Sequence, residues 1–304
     1  MEDIRSKKIE VIRPDNKVAR GLMETSLTTS SPSTPVVLIA PPYAKTIRDM
    51  FFVSLYLVLN GFRTVRYDSA NHIGVSDGGV LDFTLSSARK DLIAFIDGLR
   101  HQYPDAPLAV FSSSLSARVA FRALAGSDEV CVQASLVGVV HVQDTLHRVL
   151  EHDFVDDLLK GQAIPEIWDV LGYEVGRGFI EDVVEADWYS RESTQQDLTS
   201  CRFPIIHICT ERDDWAQLQD VEAVFSGNGS LAPRELYMIP GSSHHLEKNP
   251  SAARLALVQA IASLKRYTDG EPVETSEVRC PNFVDLVRKN RHERYLESIG
   301  YFIN

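Results

Sequence analysis

Several stretches of the chain are apolar without a break, and they punctuate it at strand length. Val36-Val37-Leu38-Ile39-Ala40 is the clearest. A continuous apolar run of this length, rather than an alternating one, marks a strand buried on both faces of a parallel sheet. Residues 50–59 are apolar nearly all round and long enough for a helix, which Asn60-Gly61 closes. Residues 62–68 predict the next strand. Thr84 can cap a helix over 85–100, whose Leu85, Ala88, Leu92, Phe95, Ile96 and Leu99 share one face. Leu108-Ala109-Val110-Phe111-Ser112 then predicts a third strand, and Val119-Ala120-Phe121-Arg122-Ala123-Leu124 continues as helix. Strand, helix, strand, helix, strand in this order predicts an α/β fold with a doubly wound, mostly parallel sheet.

The same pattern extends in both directions. Residues 1–24 predict one or two opening strands, and 25–35 form a loop rich in Thr, Ser and Pro. Strands are predicted over 130–140, 203–209 and 235–239, a last helix over 251–267, and a polar tail after residue 270. Between 144 and 197 the pattern changes to amphipathic, charged pieces with scattered glycines. Leu146, Leu150, Phe154, Leu158, Trp168 and Leu171 there present an apolar side to something other than the sheet.

Composition narrows the reading. A chain of 304 residues with 44% hydrophobic content buries a full core, and suits one α/β domain with an insertion. Its net charge of −11 argues against nucleic acid as a partner. The opening residues lack an apolar leader, and no stretch is long enough to span a bilayer, so a soluble, cytoplasmic protein is expected. Cys131, Cys201, Cys209 and Cys280 have no metal-ligand spacing, so neither a disulfide framework nor a metal site is indicated. No glycine-rich phosphate cradle is present, and no cofactor is implied.

The chemistry gathers where three predicted strands end. Ser114 sits at the sharp turn between strand and helix, flanked two residues either way by Ser112 and Ser116. A nucleophile elbow is built this way, with small residues at the flanking positions because larger ones would collide. A serine hydroxyl needs a histidine base, and the base needs a carboxylate to orient it. The loop after 203–209 carries Asp213-Asp214, and the loop after 235–239 carries His244-His245. Serine, acid, histidine is the chain order this architecture uses. Asp213 and His244 are the choices from each pair. His72 precedes the serine and is read as holding its own loop, while His207 is read as a packed core histidine. An oxyanion needs two backbone donors. Leu115, after the nucleophile, supplies one. Pro42 has no N–H, which leaves Tyr43 or Ala44 for the other, and Tyr43 fits best.

These residues resemble the lux-type acyltransferases, myristoyl-acyl-carrier-protein thioesterases of the α/β-hydrolase superfamily. The resemblance runs through Arg66-Tyr67-Asp68-Ser69, His72, Gly74 and Ser76, then Ser114-Leu115-Ser116-Ala117-Arg118, Val137-Gly138-Val139-Val140 and Asp144-Thr145-Leu146. It continues through Asp213-Asp214-Trp215 and Gly241-Ser242-Ser243-His244. It departs at Pro41-Pro42 and at His245. It implies a hydrolase core over 1–143 and 198–304 with a helical lid insertion over 144–197. It further implies serine-dependent release of an acyl chain from a carrier-protein or CoA thioester, to water or to an acceptor such as a partner enzyme. A carboxylesterase on small esters and a non-catalytic binding module are the alternatives. Lys45, Arg48, Arg118 and Arg122 are expected near the mouth of the site, as a basic docking surface for an acidic carrier.

Overall fold

The computed structural model describes residues 4–27, 31–226 and 229–302. Residues 1–3 of the predicted opening strands and 28–30 of the predicted loop therefore lie outside the described residues. The chain runs β1 (Ile4–Ile12), β2 (Val18–Ser26), β3 (Val36–Ile39), α1 (Phe51–Leu59), β4 (Arg63–Tyr67), α2 (Leu85–Gln102), β5 (Leu108–Ser113), α3 (Leu115–Leu124) and β6 (Val132–Leu136). It continues α4 (Val142–Leu150), α5 (Phe154–Leu159), β7 (Ile167–Val170), β8 (Tyr173–Gly176), α6 (Gly178–Glu185), α7 (Arg191–Ser200), β9 (Ile205–Thr210), α8 (Leu218–Phe225), β10 (Arg234–Ile239), α9 (Pro250–Asp269) and α10 (Phe283–Ser298).

Eight strands form one sheet in the order β1-β2-β4-β3-β5-β6-β9-β10. β1, β2 and β4 pair antiparallel, and every pair from β4 to β10 is parallel. Side chains of β3 separate by parity, as strand geometry requires. Val36 and Leu38 face a core built with α2, α3 and α8, while Val37 and Ile39 face one built with α1 and α9. Both faces are covered, which is why these strands read as unbroken apolar runs. The chain reverses its winding at β3, between β4 and β5, and such a switch point opens a crevice at the carboxyl ends of the strands. Thr84 caps α2 by accepting from the Ser87 N–H at 2.9 Å. No described helix is long and apolar enough to cross a membrane.

Three elements differ from the sequence pattern. The strand predicted over 130–140 stops at Leu136, because Val137 takes φ 43° and the backbone turns out of the sheet. Segment 144–197 contains a β7–β8 hairpin, and Leu171 at its tip is 45% exposed, where an apolar contact was expected. The polar tail after residue 270 contains the 16-residue helix α10, docked through charged groups. Its Lys289 and Glu293 close a buried cluster with Glu24 and Arg66.

Candidate active site

Ser114 is the hinge between β5 and α3, with φ 50° and ψ −130°. A non-glycine residue held there is strained, so its neighbours must over-determine the turn. They do so from both sides. The Ser114 N–H donates to Leu136 O at 3.0 Å, and Ser114 O accepts from the N–H groups of Val139 at 3.0 Å and Ala117 at 3.1 Å. The flanking serines brace the turn too. Ser116 Oγ accepts from the Ser113 N–H at 3.0 Å and has Ser113 O at 2.8 Å and Ala40 O at 3.1 Å within donating reach. Ser112 Oγ accepts from Gln133 at 3.3 Å. Gly138 lets the segment that holds Ser114 pass close by, because a Cβ there would lie 2.6 Å from Ala117 Cβ.

The loops after β9 and β10 bring two buried side chains to this serine. His244 Nε2 faces Ser114 Oγ at 3.0 Å, and His244 Nδ1 lies 2.9 and 3.0 Å from the two oxygens of Asp213. An ionised carboxylate only accepts, so Nδ1 carries the hydrogen and Nε2 is left as an acceptor for the serine hydroxyl. Asp213 is fixed in turn by the N–H groups of Trp215 at 3.0 Å and Ala216 at 2.8 Å, and by the Thr210 hydroxyl at 3.3 Å. Asp214 is exposed. His245 turns away and pairs with Glu247 at 3.0 Å. The Trp215 ring lies between the two histidines, 4.6 Å from His244 and 4.8 Å from His245. That ring wedge was missed in sequence, although Trp215 stands only two residues after Asp213.

Across the serine lie Leu115 and Tyr43. The Leu115 amide is among those a helix start leaves without an intrahelical partner. On the facing loop, Ala44 takes φ 61° and its N–H donates to His72 Nε2 at 3.3 Å. Its donor is spent. The Tyr43 amide has no acceptor among the described residues. Burial lowers His72 to about 4, so it stays neutral and able to accept. His72 is wedged between the rings of Tyr43 and Phe83, at 5.0 and 4.7 Å. Tyr43, Leu115, Ser116, His72 and Phe83 line a cavity of only 20 Å³, about the room of one water.

Other residues singled out in the sequence lie elsewhere. His207 is fully buried in β9, where burial lowers it to about 4 and Nδ1 meets Ser135 Oγ at 2.8 Å. The expected basic group does not form. Arg118 is fully buried, bound to Asp197 at 2.7 Å, and Arg122 shares the same carboxylate at 2.9 Å while lying over the Trp188 ring. Arg48 pairs with Glu297 at 2.9 Å. Of the four, Lys45 alone is exposed without a side-chain partner among the described residues. No group of three His, Cys, Asp or Glu among those residues is placed to hold a metal ion.

The sequence profile of the acyl transferase family matches residues 9–299, nearly the whole chain. The chain belongs to the lux-type acyl transferase family. An acyl transferase of Photobacterium phosphoreum is 31% identical over 264 residues, covering 86% of this chain and 85% of that one. An acyl transferase of Aliivibrio fischeri strain MJ11 is 28% identical over 291 residues, covering 95% and 93%. Among solved structures, an esterase of Pyrococcus furiosus covers 87% of this chain and 94% of its own at TM-score 0.62 and 18% identity. Est1E of Butyrivibrio proteoclasticus, with ferulic acid bound, covers 83% and 99% at TM-score 0.66, also at 18% identity. This acyl transferase therefore has the α/β-hydrolase fold. It is an enzyme of acyl transfer or hydrolysis and takes an acyl donor.

Proposed function

We propose that this acyl transferase moves an acyl chain from a thioester, on a carrier protein or on CoA, through an ester on Ser114. The observation that carries the reading is the unbroken chain from Ser114 Oγ to His244 to Asp213 at hydrogen-bond distance, in a family of acyl transferases. His244 Nε2 takes the hydroxyl proton as Oγ attacks the thioester carbonyl, and Asp213 stabilises the imidazolium. The oxyanion receives the amides of Leu115 and Tyr43. On collapse the C–S bond breaks, and the leaving thiolate takes the proton from His244. Water or another hydroxyl then gives its proton to His244 and attacks the acyl-Ser114 ester. The acyl group passes to it, and Ser114 recovers its proton. The acceptor can equally be presented by a partner enzyme.

Segment 144–197 is the lid in this reading, because Leu146, Val155, Ile164, Val170, Phe179 and Trp188 share one apolar cluster with Tyr43 and Leu115. The test is direct. Ser114→Ala should lose labelling by a fluorophosphonate and the burst of acyl-enzyme on an acyl thioester. Labelling that persists, or that maps to Ser113 or Ser116 in the native enzyme, would overturn the assignment. Asp213→Asn should lower the rate roughly 10⁴-fold and Asp214→Asn far less. Turnover of acyl-carrier, acyl-CoA and nitrophenyl esters of one chain length ranks the donors, and activity on the nitrophenyl ester alone would leave a carboxylesterase.

A further inference from the structure

Helix α10 presents two unlike faces. Asp285, Lys289, Glu293 and Leu296 point inward and are buried. Val284, Arg288, Arg291, Arg294, Tyr295 and Ser298 are exposed, and at 3.6 residues per turn they share the opposite face. The acids of the helix are all engaged. Asp285 closes the capping box with Asn282, Glu293 sits in the buried cluster and Glu297 holds Arg48. Arg288, Arg291 and Arg294 have no acidic partner among the described residues.

The helix that carries this face borders the loop that follows Tyr43. Arg48, on the loop that follows Tyr43 and Ala44, reaches α10 through Glu297. A groove of 640 Å³ runs between loop and helix, lined by Ala44, Lys45, Arg48, Tyr173, Asn290 and Glu293. That volume is in the range of ligand clefts. Ala44, in its wall, is the residue next to Tyr43.

The chain as a whole carries −11, so three unpaired arginines on one face set a local field opposite to that of the molecule. Such a field attracts and orients an acidic body with this face toward it. A nucleic acid or an anionic bilayer extends past the patch and meets the acidic remainder. A small acidic protein touches the patch alone, and Val284 and Tyr295 among the arginines supply the apolar contact a protein interface uses.

We propose that the outer face of α10, with Lys45, docks an acidic carrier protein whose acyl thioester, on a flexible arm, reaches Ser114 along the adjoining groove. This rests on the thioester reading above. The test uses Arg288→Glu/Arg291→Glu, both side chains being clear of the core. Binding of a bacterial holo acyl carrier protein to Ser114→Ala enzyme, followed by fluorescence anisotropy, should weaken as salt rises. Adding the two reversals should weaken it about tenfold or more and remove most of the salt dependence. In the active enzyme the reversals should lower turnover of the acyl-carrier thioester but not of a short nitrophenyl ester. Equal binding with and without the reversals, or equal losses on both substrates, overturns the docking surface. So does binding of phosphatidylglycerol vesicles in place of the carrier. Turnover of acyl-CoA without any carrier binding overturns the docking surface and leaves the thioester reading standing. Carrier binding that the reversals abolish, in an enzyme that cleaves no thioester, overturns the thioester reading instead.

Discussion

One imidazole decides how the loop at Tyr43 can act. Because His72 Nε2 takes the Ala44 N–H, the loop is turned so that Tyr43 keeps a free amide. His72→Phe keeps a ring between Tyr43 and Phe83 but strands the Ala44 donor, at a cost of about 1–3 kcal/mol. The expected result is a fall in kcat for acyl release with a smaller change in KM, because the oxyanion exists only past the ground state. The same residue has a pH signature. Its folded value of about 4 lies below the unfolded value of about 6.5, so the folded protein binds fewer protons. The stability this contributes is complete above about 6.5 and is lost as pH falls toward 4. His72→Gln should therefore lose less stability than the native protein over that interval, by up to about 3 kcal/mol in urea titrations at the acid end. Equal acid sensitivity would mean that the burial of His72 does not act in this way. At this scale the sequence shows which loops carry Ser114, Asp213 and His244, since chain order and strand ends are legible. It does not show that Ala44 is spent, or that Arg118 is buried on Asp197, since both depend on partners 28 and 79 residues away.

Elements that bury apolar residues announce themselves in the pattern. β3, α1, β4, α2 and α9 form within a residue or two of where the hydrophobic runs place them. α10 does not announce itself, because its inward face is Asp285, Lys289 and Glu293, which a hydrophobic period cannot detect. Its dock is a neutral four-charge cluster. Glu24 is fully buried, yet Arg66 and Lys289 outweigh that burial and hold its carboxyl below the usual range. Glu24 also accepts from Ser54 at 2.6 Å. Lys289→Met leaves two buried carboxylates facing one guanidinium, and breaking such a pair costs about 3–5 kcal/mol. Equilibrium urea unfolding should show that loss. Adding Glu24→Gln, which removes the unpaired charge, should restore part of it. Additive losses in the double variant would mean that the two groups are not coupled. The cluster also reaches the site, since Arg66 donates to Ile47 O at 2.5 Å and the Ile47 N–H donates to Asp68 at 2.6 Å. The C-terminal helix is thereby tied to the loop that follows Tyr43.

For the molecule as a whole, the matter is where an acyl chain lies once it is bound at Ser114, which is itself partly exposed. The apolar cluster that joins segment 144–197 to Tyr43 and Leu115 is packed, and the 20 Å³ beside Leu115 has no room for even a short chain. In the lid reading, a bound chain takes the place of contacts that segment 144–197 makes with Phe83, Leu85 and Val119. Opening that layer costs much the same for any acyl group, whereas each methylene that enters recovers about 0.8 kcal/mol. Short chains should be turned over slowly. kcat/KM should then climb about fourfold per methylene until the layer is filled, and level off. Phe179, 1% exposed and facing Phe83 at 5.9 Å across this layer, gives the profile a handle. Phe179→Ala removes a ring from the layer and should cost about 3–5 kcal/mol of stability. It should also move the plateau to longer chains, because the chain can occupy the space that the ring has left. Nitrophenyl esters from acetyl to myristoyl, compared in native and Phe179→Ala enzyme, measure both effects. A flat profile in the native enzyme would mean that the acyl chain lies outside this layer. A slope with an unmoved plateau would keep the chain inside it, but away from Phe179.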